Sequence, residues 1–118
     1  MMVLGNGLKV NPLHIEMRLL CDPILKGCVV FGENRTKCGL LLEHKDESLS
    51  TEEVVEAIWP NVERANALVP EHARIGKELV IVTSAGKPFP RAAKGTIVRS
   101  LAVKLYEQEI EETYARVT

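Results

Sequence analysis

Apolar positions along the chain alternate between short continuous runs and stripes at helical spacing, and each change of period marks an element. Val3-Leu4 and Leu8-Lys9-Val10 flank Gly5-Asn6-Gly7. Asn-Gly between short apolar runs predicts a hairpin, because both residues tolerate positive φ. A hairpin so close to the first residue suggests that further chain preceded it. Asn11-Pro12 then opens a helix, with Asn11 as N-cap and Pro12 in the first helical position. Ile15, Leu19 and either Met17 or Leu20 form its buried side. Asp22-Pro23 ends it, since the residue before proline is pushed out of the α region. Apolar runs at residues 28–31 and 39–43, joined by the polar residues 32–37, predict a second hairpin covered on both faces.

Leu49-Ser50-Thr51-Glu52-Glu53 reads as a capping box, in which Ser50 accepts from the Glu53 amide and the Glu53 carboxylate reaches back. Val55, Ile58, Trp59, Val62, Ala65 and Val69 follow at helical spacing, with Trp59 as the core anchor. Pro60 lies inside this stripe and predicts a kink, because it removes a donor and clashes with the Glu56 carbonyl. Leu79-Val80-Ile81-Val82 is a third core strand. Residues 97–117 form a final helix with Val103, Tyr106, Ile110, Tyr114 and Val117 in one stripe, Leu101 and Leu105 beside it, and Glu107, Glu109, Glu111 and Glu112 facing out. The order is hairpin, helix, hairpin, kinked helix, strand, loop, helix. It predicts one α+β unit over residues 1–118, a small mixed sheet with an N-terminal β-hairpin and three helices packed on it.

Fifteen Lys+Arg against sixteen Asp+Glu leave a net charge of −1, which gives no reason to expect a nucleic-acid or membrane-surface partner. No apolar run approaches the ~20 residues needed to span a bilayer, and the first residues lack the basic and long apolar stretches of a signal peptide. Three cysteines, Cys21, Cys28 and Cys38, read as reduced thiols in a cytoplasmic protein. Cys28 and Cys38 face each other across the second hairpin as buried thiols. His14, His44 and His72 are scattered, so no metal site is expected. Glu16 and Arg18 either pair with neighbours or touch a second body.

Candidate chemistry concentrates in the loop after the third strand. Lys87, Arg91, Lys94 and Arg99 fall between a buried strand and a helix. Pro88 and Pro90 stiffen the loop and Gly95 allows a tight turn. Such a loop can present an ammonium group to a phosphate or carboxylate outside the domain. A solvated basic turn, or a small anion-binding protein, fits the same residues.

Two motifs, in order, carry a family resemblance. Asn6-Gly7-Leu8-Lys9-Val10-Asn11-Pro12-Leu13-His14-Ile15-Glu16 resembles the hairpin and helix that follow the hinge of adenylate-forming (AMP-binding) enzymes. Phe89-Pro90-Arg91-Ala92-Ala93-Lys94-Gly95-Thr96-Ile97-Val98-Arg99 resembles their last motif, which carries a catalytic lysine. Val29-Val30-Phe31-Gly32 and Ile58-Trp59-Pro60 between them are similar to the fungal branch of carboxylic-acid-reductase-like and nonribosomal-peptide-synthetase-like enzymes.

The resemblance implies a C-terminal lid subdomain, mobile against a large N-terminal adenylation core that lies outside this sequence. It implies ATP and Mg²⁺ bound mainly by that core, an acyl-adenylate intermediate, and transfer to the phosphopantetheine thiol of a carrier domain. It carries the catalytic lysine to Lys94, with Lys87 and Arg91 as alternatives. The commoner motif has its lysine directly after a glycine, where this chain has Thr96. Gly7 and Lys9 on the hairpin, and Arg91, Lys87 and Thr96 on the loop, are the implied substrate- and nucleotide-contacting residues. The alternative is a non-catalytic interaction module derived from the same subdomain.

Overall fold

In the computed structural model, which describes residues 2–46, 48–84 and 86–117, the long apolar runs pair as one mixed sheet. The elements are β1 (Met2–Val3), β2 (Lys9–Val10), α1 (Leu13–Leu19), β3 (Leu25–Phe31), β4 (Cys38–His44), α2 (Thr51–Asn66), a 3-10 turn at Glu71–Ala73, β5 (Ile75–Val82), α3 (Arg99–Leu105) and α4 (Glu107–Val117). β1 and β2 form a separate antiparallel hairpin, and the main sheet has the order β3-β4-β5. β3 runs antiparallel to β4, whereas β5 is parallel to it. A parallel pair needs a crossover, and α2 supplies it.

Alternation along the strands explains why their apolar runs are continuous. Cys28, Val30, Leu40 and Leu42 point into one core with Ile15 and Leu19 of α1 and Val54, Ile58 and Val62 of α2. Val29, Phe31, Leu41 and Leu79 point into a second core with Phe89, Ala102, Tyr106, Ile110 and Tyr114. Side chains of period two thus meet helices on both faces, and the α+β reading holds.

Several sequence expectations are corrected in detail. α1 buries Ile15, Glu16 and Leu19, while Met17 and Leu20 are exposed. The helix starts at Leu13, one residue after the proline, and the Asn11 side chain accepts from the Leu13 amide at 3.1 Å. α2 opens with the expected capping box, but its buried stripe is Val54, Ile58, Val62 and Ala65. This spacing of four, four and three keeps one face inward. Val55 and Trp59 therefore sit on the flank, half-buried, with Lys77 Nζ 5.5 Å from the Trp59 ring centre. Pro60 lies within the helix. The single long C-terminal helix is two helices, parted at Tyr106 with φ −102° and ψ 15°, so four helices pack on the sheet. Leu101 and Leu105 are exposed. Cys28 lies opposite Leu42 and Cys38 opposite Ile75, so the two thiols do not face each other. Burial pushes Cys28 up to about 12, with the Glu16 charge adding to the shift, and Cys38 up to about 11. Among the described residues no helix is long and apolar enough to cross a membrane.

The β3–β4 ribbon has two differently occupied ends. At the Phe31–Cys38 end the first hairpin docks through the buried side chains of Met2, Leu4 and Val10 and through backbone bonds, the Gly5 amide on the Arg35 carbonyl at 2.9 Å and the Asn34 amide on the Val3 carbonyl at 3.0 Å. A Cβ on Gly5 would lie 2.9 Å from the Asn34 carbonyl oxygen, which explains the glycine there. At the Gly27–Glu43 end lies the basic loop.

Candidate functional site

After β5 the Thr83 amide donates to the Leu42 carbonyl at 2.8 Å, and the chain then crosses the edge of the second core. Three of its four cations are tied down. Lys87 Nζ bonds Glu109 Oε2 at 2.5 Å and lies 4.3 Å from the Tyr106 ring centre. The Tyr106 hydroxyl, carried inward where α3 and α4 part, donates to the Lys87 carbonyl at 2.5 Å. Phe89 is buried against Tyr106, ring edge to ring face. Its amide donates to Glu43 Oε2 at 3.0 Å, while the Arg91 guanidinium pairs with Glu43 Oε1. Arg99 grips Glu16 with both terminal nitrogens, Nη2 to Oε1 at 2.5 Å and Nη1 to Oε2. Glu16 Oε2 also accepts from the Val30 amide at 2.7 Å.

These carboxylates are themselves nearly out of solvent, Glu16 and Glu43 each being 5% exposed. Burial works to raise the Glu43 carboxyl. The bond from Arg91, the Phe89 amide and the charges of Arg91 and Lys26 together outweigh it and hold the group below its ordinary value of 4.5. The bond from Lys87 holds Glu109 down as well. Hydrogen bonding to the charged form is what makes a buried carboxylate tolerable.

Between the anchors the chain folds into a small tip. Arg91 and Ile97 form an antiparallel bridge. The Ala92 amide donates to the Thr96 carbonyl, the Gly95 amide to the Ala92 carbonyl and the Val98 amide to the Pro90 carbonyl, each at 2.9 Å. Gly95 takes φ +88° to close the turn, a torsion that costs glycine little. Residues 92–96 are exposed. Lys94 stands at this tip, and among the described residues its amine has no hydrogen-bond or ion-pair partner. Its position lets it reach an anion outside the domain, whereas Lys87 and Arg91 are already neutralised by Glu109 and Glu43. Thr96 is exposed beside it and uses its carbonyl to close the turn.

The hairpin residues are elsewhere. Gly7 closes the first turn at φ +84°. Lys9 is exposed in β2, its carbonyl 3.0 Å from His72 Nε2. Both belong to the Phe31–Cys38 end of the ribbon, while Lys94, Arg91 and Thr96 belong to the other. The seven-residue β3 sets about 20 Å between the ends. Among the described residues no group of acids, histidines and cysteines fits a metal ion.

Sequence pattern alone does not single out Glu16, Glu43 or the Tyr106 hydroxyl as site residues. A signal existed for the two acids. Glu43 ends an otherwise apolar strand run, and Glu16 falls three residues before Leu19 on the buried stripe of α1. A carboxylate written into an apolar stripe demands a partner.

A family model described as the AMP-binding enzyme C-terminal domain matches residues 1–118. An adenylate-forming reductase of Serpula lacrymans is 37% identical over 122 residues, covering 98% of this chain and 11% of that protein. A carboxylic acid reductase of Neurospora crassa is 36% identical over 115 residues, covering 95% of this chain and 11% of that protein. The chain therefore spans about a tenth of the length of these relatives. Among solved structures, the A domain of the carboxylic acid reductase from Segniliparus rugosus, in complex with AMP and a co-purified carboxylic acid, superposes with a TM-score of 0.81. It is 17% identical, over 99% of this chain and 20% of that one.

Proposed function

The chain belongs to the AMP-binding enzyme C-terminal domain family, and from that membership we propose that it is the mobile lid of an ATP-dependent enzyme that activates a carboxylic acid as its acyl-adenylate. Lys94 is the group it contributes to that step. The observation that carries this reading is the contrast within one loop, where Lys87, Arg91 and Arg99 are each held by a carboxylate and the amine at the exposed tip is not.

The chemistry needs such a group. Attack of a carboxylate on the α-phosphate of ATP, which breaks the α–β phosphoanhydride bond and releases pyrophosphate, brings two anions together. A fixed ammonium between their oxygens lowers that repulsion most where charge is most crowded, in the transition state. The carboxylate is already a nucleophile, so no base is required of this chain. ATP and Mg²⁺ would be held by the large core, where the metal would screen the phosphates. Lysine suits the task as a compact point charge on a flexible stem.

The second half-reaction, transfer of the acyl group to the phosphopantetheine thiol of a carrier domain, falls to the hairpin face bearing Gly7 and Lys9. Placement supports this division. The hairpin and the Lys94 tip occupy opposite ends of the β3–β4 ribbon, so a lid that turns on a hinge presents one or the other to the same bound adenylate. ATP and carrier-bound thiols as substrates fit a cytoplasmic enzyme.

The test supplies a large adenylation core in trans, such as that of the Neurospora crassa relative, and measures acyl-hydroxamate formed with ATP. Adding this chain is expected to raise the rate, and Lys94→Ala to remove about a hundredfold or more of the gain. A gain undiminished by the substitution removes Lys94 from the mechanism. No gain and no binding at any concentration favours the interaction-module reading.

A further inference from the structure

Buried acids at two separate places in the fold reach the same short loop, one on each side of Lys94. Glu43 lies at the end of β4 and takes Arg91, three residues before the lysine. Glu16 lies on α1 and takes Arg99, five residues after it. We propose that Glu16 and Glu43 are positioning residues for Lys94, and that Arg91 and Arg99 serve as the two jaws through which they fix the tip rather than as ligands of the nucleotide. This rests on the reading of Lys94 as the amine that meets the adenylate.

The geometry is built for holding. Glu43 uses Oε1 for the Arg91 guanidinium and Oε2 for the Phe89 amide at 3.0 Å, so it grips both a side chain and the backbone of one limb. Glu16 is saturated in the same manner by two Arg99 nitrogens and the Val30 amide, which ties the other limb to β3 one residue before its end. Arg99 adds a bond from Nη1 to the Val30 carbonyl at 3.3 Å. With both limbs fixed, the Arg91–Ile97 bridge and the Ala92–Thr96 bond leave only the five residues between them to set where the amine stands. Arginine is the fitting residue for both jaws, because its fork binds a carboxylate at two points and stays charged. A guanidinium so engaged has its charge already matched and little left to offer a phosphate. A lysine on a limp loop would spend most of its time away from the reacting atoms, and misplacement by an ångström is costly.

The test pairs amide hydrogen exchange on the intact chain with kinetics in the presence of the core. Glu43→Gln keeps an acceptor for the Phe89 amide and removes the charge. It is expected to speed exchange at the Ala92 and Val98 amides about tenfold or more, with the β4 amides unchanged. It should lower kcat for acyl-hydroxamate by ~10- to 100-fold, with KM for ATP within about twofold. Arg91→Lys, which keeps Glu43 beside a cation should the first variant fail to fold, is expected to show the same pattern more weakly.

The deciding arm repeats Glu43→Gln in the Lys94→Ala background. If the clamp acts through the lysine, no further loss appears. An equal loss in both backgrounds, a raised KM for ATP at constant kcat, or unchanged exchange at Ala92 and Val98 overturns the proposal. A Lys94→Ala variant with full turnover sinks the lysine reading instead, and the exchange data then decide the clamp on their own.

Discussion

The hairpin at residues 2–10 and the loop at residues 84–98 each carry one exposed lysine amine, yet the two are held by different forces. The hairpin is held by apolar side chains, with Met2, Leu4 and Val10 nearly or fully buried, and by backbone bonds to the β3–β4 turn. The loop has Phe89 in the second core and backbone bonds within its tip, but its limbs are also tied by Glu16, Glu43 and Glu109 on three cations, which the hairpin lacks among the described residues. Apolar burial and backbone bonds are indifferent to pH and weakly sensitive to salt, whereas ion pairs respond to both. One molecule thus mounts two amines on supports that fail under different conditions.

That contrast can be broken from either side. The largest effect is expected from Leu4→Ala, which empties a fully buried site and should cost about 3 kcal/mol. Urea titration should show that loss to be the same at low and high salt, with amide exchange accelerating at the hairpin and not at Ala92 or Val98. Arg99→Ala comes next. It leaves the Glu16 carboxylate buried without its cation, a change that costs about 3–5 kcal/mol at a fully buried pair. Because a third of the Arg99 side chain reaches solvent, about 2 kcal/mol is expected, with exchange accelerating at the loop first.

Acid gives a smaller, graded version of the same separation. The folded-state carboxyl of Glu43 is held below its ordinary value of 4.5, and Glu109 is held below the same value. The stability they contribute is fully present above that value and is lost as pH falls through the lowered one. Between pH 7 and 5 the loop should keep its protection. Below about pH 4.5 it should lose protection before the hairpin does, and nuclear magnetic resonance of the Ala92 and Gly5 amides can follow both in one sample. Equal loss at both places would show that the loop does not depend on its acids.

Local chemistry was legible in the chain and long-range pairing was not. Ser50 and Glu53 declared the start of α2 because a capping box is complete within four residues, and Asn6-Gly7 declared the first turn for the same reason. The α+β order followed from runs whose period is a property of neighbouring residues. The buried stripe of α2 differs from the expected one, with Val54 in place of Val55 and with Trp59 and Val69 only half-buried, because all of these lie in or beside the apolar arc and only packing decides between them. The break at Tyr106 was invisible, since α3 and α4 together keep an uninterrupted helical stripe. At that break the Tyr106 hydroxyl reaches a carbonyl 19 residues away. The clamp was further out of reach. Arg91 and Glu43 are 48 positions apart and Arg99 and Glu16 are 83 apart. No periodicity joins such pairs. The motif points to Lys94, and the pairing of Lys87, Arg91 and Arg99 with carboxylates is a property of the fold alone.

The two turns that present the amines have a further property in common. Gly7 at φ +84° and Gly95 at φ +88° both have open space where a Cβ would stand, with no atom within 4 Å. What each position selects is therefore handedness and not size. A D-alanine installed at either site by chemical ligation would fit the existing torsion and restrict the unfolded chain, while L-alanine would be strained in the same empty space. Mirror-image substitution would thus stiffen one amine at a time without altering a single neighbouring side chain.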